Sequence, residues 1–98
     1  MKFVFALFGV AVAGLACAQT PAPTPIPNGR LLASNCFQCH GTNGKGPGFE
    51  QLAGHSREEI AKALKVMQLG TEGSIMNAHA MGYTDAQIDA LADYLSKQ

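Results

Sequence analysis

Two cysteines and a histidine stand together in the segment Cys36-Phe37-Gln38-Cys39-His40. On a helical turn, residues three and four positions apart share a face, so Cys36, Cys39 and His40 can point toward one flat group. The spacing is that of c-type haem attachment, in which two thiols add to the two vinyl groups of the porphyrin. The imidazole of His40 then meets the iron from one side. We therefore predict one haem c, attached covalently through Cys36 and Cys39, with His40 as an axial ligand.

Other uses of paired cysteines fit this sequence less well. A thioredoxin-like redox pair needs a βαβ setting, and the chain shows no alternating strand pattern. A structural zinc site takes four ligands in closed tetrahedral geometry, and there is no second cysteine pair. A Cys–His nucleophile would leave one of the two cysteines unexplained.

The sequence offers several candidates for the second axial ligand of the iron. Methionine opposite histidine is one standard pairing and raises the reduction potential. The candidates are Met67, Met76 and Met81, with His55 and His79 as a bis-histidine alternative. Met67 falls on the apolar stripe of a predicted helix, which favours core packing. Met76 and Met81 lie in segment 73–83, which we predict to be a loop crossing the far face of the haem, and spacing alone does not choose between them.

Three helices and no strands are predicted to position these residues, so the fold class is all-α. The first runs from about Gly29 through the cysteine motif, with Asn28 as its N-cap. The second begins with a capping box at Ser56-Arg57-Glu58-Glu59, and Gly70 is a natural stop. The third begins with another capping box at Thr84-Asp85-Ala86-Gln87. Apolar residues recur at helical spacing along the last two helices, at Ile60, Ala63, Leu64, Met67, Ile88, Leu91, Ala92 and Leu95.

The N-terminal residues 1–18 have the features of a signal peptide. Lys2 precedes an uncharged apolar run, and Ala16-Cys17-Ala18 supplies small residues where a signal peptidase requires them. An uncleaved anchor is one alternative. Lipidation of Cys17, which would tether the protein to a membrane, is another. We predict an exported protein in a periplasmic or other extracytoplasmic location.

The mature part divides into a linker and one domain. Residues 19–27 hold four of the five prolines and are predicted to form an extended polyproline tether. Residues 28–98 are close to the size at which a hydrophobic core alone barely outweighs chain entropy, and a large apolar cofactor would relieve that problem. The chain has a formal net charge of zero, which argues against a nucleic-acid partner.

Several stretches resemble class I cytochromes c, and more closely the haem domains of the cytochrome subunit of sulfide dehydrogenase (flavocytochrome c) and related diheme cytochromes. The matching stretches are Cys36 to Gly44, Gly46-Pro47, Leu52 to Gly54, Ser74 to Met76 and Gly82 to Leu95. The resemblance implies the class I cytochrome c fold around one covalent haem. It also implies that Met76 is the sulfur ligand, with Met81 as the alternative, and that the Pro47 carbonyl accepts a hydrogen bond from His40.

The same resemblance implies a one-electron carrier rather than an enzyme, acting free or as the small haem subunit of a dehydrogenase. Its partners would be redox proteins, such as a flavoprotein or another dehydrogenase. Two features depart from the relatives: they often carry two haem domains in tandem, and they often have a polar or small residue where this chain has Met81. A haem enzyme or a gas sensor would need an iron position that is open or readily vacated, which a bound methionine blocks.

Overall fold

The computed structural model describes residues 9, 14, 18–23 and 25–98. The predicted signal peptide, including Cys17, therefore lies almost wholly outside the described residues. Residues 18–23 and 25–28 are exposed and form no helix or strand. The boundaries drawn from the sequence at 1–18, 19–27 and 28–98 stay predictions. Among the helices of the described part, none is long and apolar enough to cross a membrane.

From residue 25 onward the described chain is helical and contains no strand, which confirms the all-α prediction. The α-helices are α1 (Gly29–Ala33), α2 (Phe37–His40), α3 (Arg57–Met67), α4 (Ile75–Met81) and α5 (Asp85–Leu95). Two 3₁₀ turns, at Ser34–Cys36 and Thr42–Gly44, flank α2. The predicted first helix does continue through the cysteine motif, but as α1, a 3₁₀ turn and α2 in succession.

Side chains define where the predicted helices begin. The Asn28 carboxamide accepts a hydrogen bond from the N–H of Leu31 at 2.9 Å and caps α1. At α3 the Ser56 hydroxyl accepts from the N–H of Glu59 at 3.2 Å, and the Glu59 carboxylate accepts from the N–H of Ser56 at 2.8 Å. Thr84 and Gln87 form the same reciprocal pair at the start of α5. Each pair satisfies two backbone donors that a helix start leaves unpaired.

The prediction of a loop across segment 73–83 is wrong, because residues 75–81 form helix α4. Its N-cap is Ser74, whose hydroxyl accepts from the N–H of Asn77 at 3.2 Å. The Asn77 carboxamide in turn accepts from the N–H of Ser74 at 2.8 Å. Asparagine here plays the part that Glu59 and Gln87 play in the other two boxes, and the sequence pattern for a capping box does not include it.

Helix α5 is the centre of the packing, with α1 and α3 against it and α4 against α3. Ile88, Leu91 and Leu95 of α5 are almost fully buried. They join a core that also contains Leu32, Ala33, Ile60, Leu64, Ala80 and Ala92. The predicted apolar stripes on α3 and α5 therefore do face the core, whereas Ala63 is exposed at the edge of a cleft.

Helices α1 and α5 approach each other closely at Gly29. A Cβ atom at this position would overlap the carbonyl oxygen of Ala90 and lie 2.8 Å from the Cβ of Tyr94. Only a residue without a side chain fits between the two backbones. The crossing fixes the start of the segment that carries the cysteine motif.

Candidate functional site

A cleft of about 530 Å³ opens between the cysteine motif and helices α3, α4 and α5. Its size is that of a cofactor site, and most of its lining is apolar. The apolar and aromatic lining residues are Phe49, Leu52, Ile60, Ala63, Leu64, Met67, Ile75, Met76, Tyr83, Leu91 and Leu95. The cleft therefore presents an apolar interior to whatever occupies it, with polar groups at only a few points.

The predicted attachment residues all line this cleft. Cys36 ends the 3₁₀ turn, Cys39 and His40 lie in α2, and the helical spacing places the three on one face. Neither Cys36 nor Cys39 forms a disulfide; Cys36 is half-buried and Cys39 is exposed. Burial raises the pKa of the Cys36 thiol, and the nearby Cys39 adds to the rise.

The loop after α2 folds back over His40. The N–H of Gly46 donates to the carbonyl of His40 at 2.8 Å, and the N–H of Phe49 donates to the carbonyl of Cys39 at 2.9 Å. These two bonds bring the Glu50 carbonyl oxygen within 2.5 Å of Nδ1 of His40. A carbonyl cannot donate, so Nδ1 carries the proton and Nε2 keeps its lone pair for a metal.

This hydrogen bond corrects the expectation for Pro47. The acceptor for the His40 ring is the carbonyl of Glu50. The sequence contains no local pattern that identifies Glu50, because its position depends on how the loop closes onto α2. The Phe49 ring lies beside the His40 ring, with centroids 6.3 Å apart, and also lines the cleft.

The candidate sulfur ligands are separated by the structure. Met76, near the start of α4, is half-buried and lines the cleft. Met81, at the end of the same helix, is 55% exposed and is not among the lining residues, and its terminal methyl group lies against Gly70. Met67 is half-buried, lines the cleft from α3 and packs against the core, as the sequence predicts.

Both alternative histidines also line the cleft. His79 lies one helical turn after Met76 on α4. His55 precedes α3, and its ring nitrogens lie 3.9 Å from the Glu50 carboxylate and 3.7 Å from the Glu59 carboxylate. The structure therefore brings Met76 and His79 to the same cleft from the same helix.

Tyr83 is a lining residue that the sequence analysis did not single out. Its hydroxyl donates to the Leu32 carbonyl at 2.9 Å and accepts from the Asn35 carboxamide at 3.0 Å. The Tyr83 carbonyl accepts from the Gln68 carboxamide at 2.8 Å. One residue thus connects the segment before the cysteine motif, the end of α3 and the turn between α4 and α5.

Comparison with known proteins assigns the family. The profile of a family described as cytochrome c oxidase, cbb3-type, subunit III matches residues 28–95. The chain belongs to the cytochrome c family. The cytochrome subunit of sulfide dehydrogenase from Chlorobaculum tepidum is 34% identical over 88 residues, which cover 88% of this chain and 80% of that protein.

Two further cytochrome c relatives are similar to this chain. The thiosulfate dehydrogenase electron acceptor of Thiomonas intermedia is 33% identical over 92 residues, which cover 90% of this chain and 42% of that protein. Cytochrome c-553 of Nitratidesulfovibrio vulgaris is 32% identical over 77 residues, covering 71% of this chain and 76% of that protein. All three are named as cytochromes or as electron acceptors, which agrees with an electron-carrier family.

The residues of the cleft fit the haem c that a cytochrome c binds. Two thiols and an imidazole lie on one face of the cysteine segment, and a thioether faces the same space from another helix. The rest of the lining is mainly hydrocarbon and aromatic, which suits the apolar body of a porphyrin. The lining offers three imidazoles, of His40, His55 and His79, and two thioethers, of Met67 and Met76. Imidazole with thioether is a standard ligand pair for iron in cytochromes c.

Proposed function

We propose that this cytochrome c is a monohaem one-electron carrier of an extracytoplasmic electron-transfer chain, acting free or as the small haem subunit of a dehydrogenase such as sulfide dehydrogenase. In this proposal residues 1–18 are a signal peptide, residues 19–27 are a linker, and residues 28–98 are the haem-binding domain. Haem c is attached through Cys36 and Cys39.

The observation that carries the proposal is the content of a single cleft. Cys36, Cys39 and His40 come from one segment, and Met76 reaches the same space from α4. The Glu50 carbonyl fixes the tautomer and orientation of the His40 ring, which leaves Nε2 as the ligand atom. Met76 is the proposed thioether ligand, since Met81 is exposed and is not among the lining residues.

A haem held by His40 and Met76 would supply reversible one-electron exchange and would offer no vacant position for a substrate. The protein's own residues then have three tasks: they hold the porphyrin, orient the imidazole and exclude water. Leu64, Leu91 and Leu95 serve the last task, because they bring buried apolar surface to the cleft. We therefore infer a carrier and not an enzyme.

The names of the relatives support a redox protein as the partner. One is a cytochrome subunit of sulfide dehydrogenase, and another is an electron acceptor of thiosulfate dehydrogenase. We infer that this chain exchanges electrons with a dehydrogenase, a flavoprotein being one candidate. A membrane tether is expected only if Cys17 is lipidated.

The ligand assignment is tested by two matched methionine variants. Met76→Ala should abolish the sulfur-to-iron charge-transfer band of the oxidised protein, lower the reduction potential and let the reduced protein bind carbon monoxide rapidly. Met81→Ala should preserve the band, because this side chain lies outside the cleft. The opposite pattern would refute Met76 as the ligand.

Two further measurements separate the carrier from the alternatives. Haem should remain with the polypeptide after acid–acetone extraction, because thioethers are covalent. The unmodified reduced protein should bind carbon monoxide slowly, because the iron has no open position. Extractable haem would contradict attachment through Cys36 and Cys39, and rapid binding would favour a sensor or an enzyme.

A further inference from the structure

Asn77 is a buried polar residue beside the proposed sulfur ligand. Its exposed fraction is 6%, and it is the only polar residue of the described chain that is buried so deeply. It immediately follows Met76 in α4. A buried carboxamide is costly unless its hydrogen bonds are made, so its partners indicate what the residue holds together.

The partners of Asn77 come from two helices. Its Oδ1 accepts from the Ser74 N–H at 2.8 Å and from the Ser74 hydroxyl at 2.7 Å. Its Nδ2 donates to the carbonyl of Met67, in the last turn of α3, at 2.8 Å. The orientation of the carboxamide is unambiguous, because a backbone N–H can only donate and a carbonyl can only accept. We call the bond from Nδ2 to Met67 the Asn77 tether.

The tether joins two walls of the cleft. Met67 lines the cleft from α3, and Met76 lines it from α4. Helix α4 has only seven residues, and Ala80 is its only residue in the buried hydrophobic core. The position of α4 along the wall therefore depends on few contacts, among them the Asn77 tether at its N-terminal end and the bond from Gln68 to the Tyr83 carbonyl after its C-terminal end.

A competing iron ligand lies on the same short helix. His79 follows Met76 by three positions and also lines the cleft. Residues three apart share a helix face, so a displacement of α4 by about 4.5 Å along its axis with a rotation of about 60° would exchange a thioether for an imidazole. Such a change alters the ligand without unfolding the domain.

We propose that Asn77 is a positioning residue which, through its tether to the Met67 carbonyl, keeps Met76 and not His79 at the iron. The proposal rests on the proposed haem ligation by Met76. It adds to that ligation a selection between two donors on one helix, made by a residue that is not among those lining the cleft.

Three variants separate the tether from ordinary helix capping. Asn77→Asp retains an oxygen for the Ser74 N–H but loses the donor to Met67. Asn77→Ala loses both. Gln87→Ala is the matched control, because it removes the same kind of capping box from α5. There the Gln87 carboxamide oxygen accepts a hydrogen bond from the Thr84 N–H at 2.9 Å. All three are compared as haem-loaded protein by the charge-transfer band, the reduction potential and the denaturation midpoint.

If the tether selects the ligand, Asn77→Asp and Asn77→Ala should both lose most of the intensity of the sulfur-to-iron charge-transfer band. Both should also have a lower reduction potential than the unmodified protein. Gln87→Ala should lower the denaturation midpoint while band and potential stay unchanged. Asn77→Ala should still bind carbon monoxide slowly, because His79 fills the position. Adding His79→Ala to Asn77→Ala should make binding rapid, whereas His79→Ala alone should keep the band.

Other outcomes would overturn the proposal. If the Asn77 variants keep the band and the potential, as Gln87→Ala should, then Asn77 only stabilises the helix. If Asn77→Ala alone binds carbon monoxide rapidly, His79 is not the competing ligand. If the unmodified protein lacks the band, or Met76→Ala retains it, the failure lies in the proposed ligation by Met76 and not in the tether.

Discussion

Replacing Gly29 by Ala tests the close crossing of α1 and α5. The new Cβ would overlap the carbonyl oxygen of Ala90 and lie 2.8 Å from the Cβ of Tyr94, so the two backbones must move apart. Overpacking of this kind costs about 1–3 kcal/mol. Without the contact, alanine in a helix would instead be favoured over glycine by up to ~1 kcal/mol. A decrease in the free energy of unfolding therefore indicates the close contact, whereas an increase indicates that it is absent.

The assay is denaturant unfolding of the haem-loaded protein, followed by helical circular dichroism. We expect Gly29→Ala to lower the free energy of unfolding by about 1–3 kcal/mol, and each kcal/mol corresponds to ~4–8 °C in Tm for a domain of this size. Gly82→Ala is the control, because its new Cβ would lie 3.3 Å from the His79 carbonyl oxygen, a tight contact that does not overlap as the contact at Gly29 does. Equal stabilities for the two variants would refute the crossing geometry.

Two further predictions concern pH and processing. Hydrogen bonds from the Ser56 N–H and hydroxyl hold the pKa of Glu59 below its usual range. The stability that ionised Glu59 contributes is therefore complete above the pKa it has in the unfolded chain. It is lost as the pH falls through the lower pKa it has in the folded protein. Glu59→Ala should therefore lower the urea midpoint near neutral pH and leave it unchanged in strong acid; an equal loss at both would contradict the pairing. Mass spectrometry of the native protein should give a chain starting at Gln19 plus one haem, whereas a diacylglycerol mass on Cys17 would show a membrane-tethered lipoprotein.

The sequence predicts α3 and α5 well because their patterns are local. Each helix begins with a hydroxyl residue followed three positions later by Glu or Gln, and each carries apolar residues at helical spacing. The structure confirms both capping boxes and buries Ile60, Leu64, Ile88 and Leu91. No information about distant parts of the chain is needed for either helix.

The carbonyl that accepts the hydrogen bond from the His40 ring could not be predicted from a local pattern. Gly46 and Phe49 must first bond to the carbonyls of His40 and Cys39 before the Glu50 carbonyl can reach the imidazole. This arrangement follows from closure of the whole loop, and no residue type at position 50 encodes it, because the group involved is a backbone carbonyl. A sequence pattern therefore cannot distinguish Glu50 from Pro47, whereas coordinates can.

The unresolved choice between Met76 and Met81 has the same origin as the missed helix α4. In a loop, either methionine can turn toward the haem, so spacing gives no preference. In an α-helix, residues five apart differ by about 140° in direction, since each residue advances the helix by ~100°. Once Ser74 and Asn77 cap α4, only one of the two can face the cleft, and the structure gives that place to Met76. His79, three positions after Met76, lines the same cleft, so the ligand selection that we propose for Asn77 acts between two donors on this one helix.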